Sequence, residues 1–428
     1  MARIDRRTFL GASGAALAAS GTAALAGKSA NDRLRVAIVG VHSRGAELAR
    51  EFARNKGVEV VAVCDIDDAN FAKVVEAVEK STGKAPRTEK DFRRLLDDKE
   101  IDAVVNATPD HWHALITVLS CQAGKDVYTE KPASHNVVEG RRMVEAARKY
   151  KRVVQLGTQR RSMTHVKEAV ELVHSGGLGD VGMARAWIHQ QRKPIGHGKP
   201  GPVPPGVDYA MWQGPAPDRP FHANRFHYNW HWFWNWGTGE LGNNGIHGLD
   251  VARWGLNVDA PLTVTSGGGK FVFDDDQEVP DTQIVTWEFP NAALVWEHRM
   301  WSKHGTEGRG FGVAFYGDKG TLIVDEKGWS VEDPDGGKPD KPLGGKATNG
   351  FAAHVQNFLD CVRSREKPNA DIEIGHLSTR LCHLGNIAQR VGRKLTFDAS
   401  REAFKDAPDA DKLLSREYSN RFEMPSQV

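Results

Sequence analysis

Between Leu34 and Leu156 the chain repeats one rhythm: a short apolar run rich in β-branched residues, then a helical stretch. The runs fall at Leu34–Val41, Val58–Cys64, Ala103–Ala107, Asp126–Thr129 and Val153–Leu156, with helical patterns at 46–55, 70–81, 89–96, 113–123 and 137–150 between them. Strands that are apolar on both faces and separated by helices bury themselves in a parallel sheet covered on both sides. The pattern predicts a doubly wound α/β Rossmann domain over residues 31–158.

The rhythm changes after Thr158. A helix is expected over 163–173 and a strand over 181–189, followed by a Pro- and Gly-rich loop, 194–220, and an aromatic run from Phe226 to Trp236. Strands around 262–265, 282–289, 293–300, 312–316 and 320–324 have short connections such as Pro290-Asn291, which suit hairpins. Residues 159–428 are therefore expected to form a mostly antiparallel open-sheet domain of α+β type, with helices over 351–363 and 376–391 packing back onto the body. A chain of 428 residues exceeds what a single core comfortably serves.

The first 30 residues are expected to stand apart as an export signal and linker. Arg6-Arg7 precedes a small-residue apolar run from Gly11 to Ala26 that ends in Ala24-Leu25-Ala26, the pattern of a twin-arginine signal for a periplasmic or otherwise exported protein. A lipoprotein or membrane anchor is the alternative, although no lipobox cysteine follows. Loss of residues 1–26 brings the formal charge from +2 to zero, so no electrostatic footprint for nucleic acid remains. No later run approaches the length of a membrane span, and no stable membrane insertion is expected after processing. Cys64, Cys121, Cys361 and Cys382 form no C-x-x-C. The first two are expected as buried thiols, while proximity of the last two stays open.

Gly40 follows the first strand, Gly45 opens a helix, and Asp65 ends the next strand. Glycines there permit a tight turn and close approach of backbone to a pyrophosphate, the helix N-terminus offers free N–H groups, and the carboxylate receives ribose hydroxyls. His42 replaces the middle glycine of the usual motif, with Ser43 and Arg44 beside it. Asp65 favours NAD over NADP, while Arg44 keeps NADP possible. The alternative is a plain turn with Asp65 as a helix cap. Asn106, Thr108, Pro109 and His113 lie where the cleft opens toward the nicotinamide. His111 and His113 lack a third ligand at metal-site spacing, so no metal is expected.

Glu130-Lys131-Pro132 follows another strand on the same side. Lys131 can donate to a substrate oxygen, or it is a surface lysine paired with Glu130. In Gly239–Asp250, His247 falls in the first turn of a helix and Asp250 three residues on shares roughly its face, able to orient the imidazole. A turn histidine is the equal alternative. Trp230 and Trp234 in the aromatic run can stack on a sugar, or the run is core or interface. Gln159 and Arg160 face substrate, phosphate or a salt bridge.

Together the glycine turn, Thr108-Pro109-Asp110-His111-Trp112-His113, Glu130-Lys131-Pro132 and the segment ending at His247 and Asp250 resemble the Gfo/Idh/MocA oxidoreductase family over nearly all of the chain after the signal. The resemblance implies that Lys131 is catalytic, that His247 is the acid/base, that Glu130 supports the nicotinamide side, and that the substrate is a sugar, cyclitol or sugar derivative. It also implies a homo-oligomer formed through the second sheet. Members commonly carry aspartate four residues before the histidine; here Asn243 stands in that place and completes the expected catalytic set. That departure, with His42, points to a tightly held, internally recycled cofactor. Two alternatives remain: glycoside cleavage through transient oxidation and elimination, or a non-enzymatic periplasmic carbohydrate-binding protein.

Overall fold

The computed structural model describes residues 33–332, 344–419 and 421–428, so the expected export segment lies outside the described residues. Six strands, β1 (Leu34–Val39), β2 (Val58–Cys64), β3 (Arg87–Glu89), β4 (Ala103–Asn106), β5 (Asp126–Thr129) and β6 (Val154–Leu156), form one parallel sheet in the order β3-β2-β1-β4-β5-β6. Helices α1 (Arg44–Arg54), α2 (Phe71–Thr82), α3 (Phe92–Asp97), α4 (Asp110–Gln122) and α5 (Val137–Lys149) connect them. The order reverses between β1 and β4, which opens a crevice at their carboxyl ends. Edge strand β3 replaces the start of the expected 89–96 helix. Its Arg-Thr-Glu, exposed at the first two residues, carries no apolar signal, and the Asp91 side chain caps α3 by accepting from Arg93 N.

A helix, α6 (Thr164–His174), leads into the second sheet. Its strands are β7 (Val181–His189), β8 (Thr263–Gly269), β9 (Thr282–Glu288), β10 (Ala293–Arg299), β11 (Phe311–Gly317), β12 (Gly320–Asp325), β13 (Gly328–Glu332), β14 (Gly344–Lys346), β15 (Leu395–Asp398) and β16 (Ala403–Phe404). Among the described residues the order is β14-β13-β12-β11-β7-β10-β9-β8-β15-β16, with every neighbouring pair antiparallel except β7 and β10. The fold class expected from the sequence is confirmed: a parallel Rossmann sheet followed by a mostly antiparallel one. Strands β13 to β16 escaped the sequence reading because they are short and partly polar.

The short helix α7 (Tyr209–Gln213) sits in the long loop that follows β7. Helices α8 (Ile246–Leu256) and α10 (Ile372–Val391), with α6, cover one face of the second sheet, where Leu249, Trp287, Trp296, Phe315 and Leu384 are fully buried. Helix α9 (Phe351–Ser364) joins the other core. Its Val355, Phe358 and Leu359 pack under the first sheet against Phe52 and Tyr128, with Phe358 edge-on to both rings. All four cysteines are free and buried; Cys361 lies in the α9 core and Cys382 in the core of the second sheet, so they are not partners. A last short helix, α11 (Pro408–Asp411), closes β16. Among the described residues no helix is long and apolar enough to cross a membrane.

Because α9 returns the C-terminal chain to the first core, Phe358→Ala is expected to cost about 3–5 kcal/mol. Urea unfolding checks this as a lower midpoint at unchanged slope.

Candidate active site

The crevice at the β1/β4 switch is a cavity of about 400 Å³. Gly40, at the end of β1, has φ +79°, and a β-carbon there would stand 2.8 Å from the Ala107 carbonyl oxygen. At Gly45 it would stand 1.7 Å from Gly40 O. Only glycine fits either position, so the turn brings bare backbone and the N-terminus of α1 to the cavity, as a pyrophosphate requires. Gly40, His42, Ser43 and Arg44 line the cavity; Gly45 shapes the turn from behind.

Asp65 also lines it, but most of its acceptor capacity is engaged within the protein. It accepts from Val41 N at 2.7 Å, Asp67 N at 3.0 Å and Asn70 Nδ2 at 3.1 Å, which locks the turn to the end of β2 and leaves limited room for a ribose hydroxyl. Two residues on, Asp67 Oδ2 lies 2.8 Å from His227 Nε2, and the His227 ring stacks on His42. The loop that carries His227 is fastened alongside: Asp208 N donates to Ile66 O at 2.9 Å, and Lys90 Nζ donates to Gly206 O at 2.8 Å. Met211, Trp212 and Tyr228 from this strap line the same cavity as Phe92 and Trp112 of the first sheet's helices.

At the other end stand the residues that could act on a substrate. Lys131 Nζ donates to Asn243 O at 2.8 Å and to Asn243 Oδ1 at 3.1 Å, joining the end of β5 to a π-helical turn, Leu241–Gly245, that feeds α8. Lys131, Asn243 and His247 line one cavity. The His247 Nδ1 is buried without a hydrogen-bond partner, and burial, with Lys131, Arg160 and Arg44 nearby, holds the imidazole well below its ordinary pKa and therefore neutral. Burial works to raise the Glu130 carboxyl, but Arg44, whose Nε lies 2.9 Å from Glu130 Oε1, and Lys131 outweigh it and keep it below its usual range. Thr108, Pro109 and Gln159 complete this wall, and the Gln159 Oε1 is buried without a partner.

Several expected residues do something else. Asn106 is fully buried and does not line the cavity; its Oδ1 accepts from Thr108 Oγ1 at 2.7 Å and shapes the β4 exit. His113 is pinned between Pro132 O at 2.6 Å and Thr108 O at 2.7 Å, so it braces the cavity wall with both ring nitrogens occupied. Asp250 does not line the cavity and makes no hydrogen bond to His247. Its carboxylate is buried, held bidentate by Arg161 at 2.8–3.0 Å, and accepts from Ser378 Oγ. Trp234 lies outside the cavity, its indole N–H donating to Glu278 O, whereas Trp230 lines it. Arg160 faces a second cavity, with its guanidinium over the Phe311 ring at 4.1 Å. His111 Nε2 faces Trp212 O, and among the described residues no group of three His, Cys, Asp or Glu side chains is gathered as for a metal.

Sequence reasoning missed three contributors. Asp110 lines the cavity, is wholly buried, and is pushed up to about 7 by burial, which Thr238 Oγ1 at 2.7 Å and the charge of Lys131 only partly offset. Its place at the first residue of α4 was the available signal. Asp67 and His227 were missed because their contact spans 160 residues of sequence.

Profiles of one oxidoreductase family match both halves of the chain: an oxidoreductase family with NAD-binding Rossmann fold over residues 34–158, and the C-terminal α/β domain of that family over residues 216–397. A glycosyl hydrolase family 109 protein of Stenotrophomonas maltophilia (strain K279a) is 35% identical over 136 residues, 30% of each chain. An uncharacterized oxidoreductase of Streptococcus pneumoniae serotype 4 is 27% identical over 302 residues, 68% of each chain. Across the family 109 proteins matched, the aligned region spans 30% to 49% of their length. In fold, the chain resembles the crystal structure of aldose-aldose oxidoreductase from Caulobacter crescentus, with TM-score 0.65 and 21% identity, over 85% of this chain and all of that one.

Two outcomes follow from the buried carboxylates. Asp250→Ala strands the buried Arg161 charge and is expected to cost about 3–5 kcal/mol in urea unfolding while leaving dinucleotide affinity in place. Asp110 binds its proton more tightly folded than at its ordinary value of 3.8, so it withdraws stability as pH rises from about 4 to about 7. Asp110→Asn should therefore gain stability over the wild type through that window, with the gain level above it, as read by melting temperature against pH.

Proposed function

The chain belongs to the Gfo/Idh/MocA oxidoreductase family and is an NAD(P)-dependent oxidoreductase, and from that premise we propose that it oxidises a ring carbinol of a sugar, cyclitol or sugar derivative, or runs the reverse reduction. One observation carries the reading: a single cavity is lined at one end by a turn that admits a pyrophosphate and at the other by Lys131, Asn243 and His247. Gly40, His42, Ser43 and Arg44 would hold the pyrophosphate of a dinucleotide, whose nicotinamide would supply the hydride acceptor, or the donor in reverse, for the carbinol carbon. Lys131, with two of its three ammonium donors directed to Asn243, keeps one for the carbinol oxygen. His247, neutral and with an unengaged ring nitrogen, takes the hydroxyl proton and gives it back in reverse. Asn243 cannot act as a base and serves to aim the ammonium.

Asp65 and Asp67 together at the end of β2 disfavour a 2′-phosphate, which supports NAD. Arg44 does not offset them, because Glu130 and Glu47 engage it at 2.9 and 3.0 Å. The strap across the β2 end, fastened by the Asp67–His227, Ile66–Asp208 and Lys90–Gly206 contacts beside the cavity, supports a tightly held, recycled cofactor. Export by the Arg6-Arg7 signal belongs to the same reading, as does a homo-oligomer formed through the open face of the second sheet, where Ile284 is 51% exposed. A second reading, transient oxidation that acidifies a neighbouring C–H and permits elimination of a glycosidic leaving group, is supported by the similarity to glycosyl hydrolase family 109 proteins.

Mass spectrometry of ligand released from the denatured protein should find NAD and not NADP. A panel of sugars and glycosides followed at 340 nm then tests the reaction, and cleaved product without net NADH favours the second reading. Lys131→Met and His247→Ala should each slow reduction of the bound dinucleotide by about 10²–10⁴-fold, with dinucleotide affinity nearly unchanged. Wild-type rates in both variants would overturn the assignment.

A further inference from the structure

A second cavity, of about 820 Å³, meets the first at Gln159, Asn244 and His247, which line both. It lies beyond the imidazole from the glycine turn, along the ends of β7, β11 and β12. At that size it is near the upper end of what a drug-sized ligand occupies, and a single ring held against Lys131 and His247 would leave most of it empty.

Its walls say what fills it. Arg309 is neutralised by Asp325 at 2.7 Å, and Arg160 faces Glu326 at 3.3 Å. His165 is fixed between Thr348 Oγ1 at 3.0 Å and Asp325 O at 3.2 Å, and stays neutral, burial and the charge of Arg160 holding its pKa down against the Asp325 carbonyl. Apart from Lys327 at the exposed rim, the charges of the lining are paired within the wall, which suits hydroxyl groups that both donate and accept better than an anion. At the junction, Gln159 Oε1 and His247 Nδ1 are both buried without partners, a pair of polar atoms left for a ligand that reaches from one cavity into the other.

We propose that the substrate is a neutral saccharide of at least two rings, with the ring that reacts beside Lys131 and His247 and its glycosidic neighbour in the second cavity. This rests on the sugar-oxidoreductase reading above and adds to it the length and charge of the substrate. The residues that set length are those around Arg160, Phe311 and Ala347, none of which touches the carbinol.

The test uses the full-length protein with the dinucleotide it carries. D-glucose, D-galactose and their N-acetylamino forms are supplied as methyl glycosides and as disaccharides with the same ring at the non-reducing end. Saturation-transfer NMR should show contact from protons of both rings of the preferred disaccharide, and its KM should fall at least tenfold below that of the methyl glycoside. Ala347→Trp, which fills the second cavity from its exposed rim, should raise the disaccharide KM at least tenfold and change that of the methyl glycoside less than twofold. Lys327→Ala, also at the rim, gives a milder rise of the same selectivity and serves if the larger side chain disturbs folding. Equal KM values with no saturation transfer to the second ring would overturn this proposal and leave the oxidoreductase reading intact. Acceptance only of compounds with a carboxylate or phosphate on the second unit would overturn its neutral character. If no member of the panel in either form binds or reduces the dinucleotide, the sugar reading falls and this proposal with it.

Discussion

The contact on which the site depends is the Lys131 ammonium bridging both oxygens of Asn243. One partner ends a strand of the parallel sheet and the other lies in the π-helical turn that starts α8 beneath the second sheet. A donor and a base that must meet one carbinol within hydrogen-bond reach have to be fixed relative to one another across that junction, and this contact ties the donor to the turn four residues before the base. Asn243 and His247 stand four residues apart where this turn runs into α8, a spacing that keeps both on one face, and both line the same cavity.

Around that contact the protein buries charge in pairs drawn from distant parts of the chain. Glu130 is held by Arg44, Asp250 by Arg161 and Ser378, and Glu240 by Arg192 at 3.3 Å. A buried pair is weak evidence for stability, but loss of either partner is costly, and such pairs therefore fix register more than they strengthen the fold. Asp110 is the exception. It has a hydroxyl and a nearby ammonium but no direct cation, and it is the buried carboxyl at the site whose pKa rises to about 7. The site thus separates its titrating groups by environment, with an imidazole kept neutral by burial beside an ammonium held by neutral oxygens.

Much of this was legible in the sequence where a short-range pattern carried it. The glycine turn, Asp65, Lys131 and His247 each sit at the end of a strand or the start of a helix, and the alternation of apolar runs located those ends. Long-range choices were not legible. Asp250 shares a helix with His247, and sequence spacing alone does not say that Arg161 waits on the far side. Trp230 and Trp234 look alike in an aromatic run, yet one lines the cavity and the other turns to Glu278. The strap that brings His227 to Asp67 comes from a loop whose Pro and Gly content announces irregular backbone and nothing about where it lands. The second cavity was equally invisible, because its walls come from several separate segments of the chain.

The most direct test of the account is a double-mutant cycle between Lys131→Met and Asn243→Ala, read as the single-turnover rate of dinucleotide reduction. If the two residues act as one positioned donor, the double variant should be little slower than Lys131→Met alone, a coupling of about 1–3 kcal/mol. Losses that simply add would mean that Asn243 does not aim Lys131.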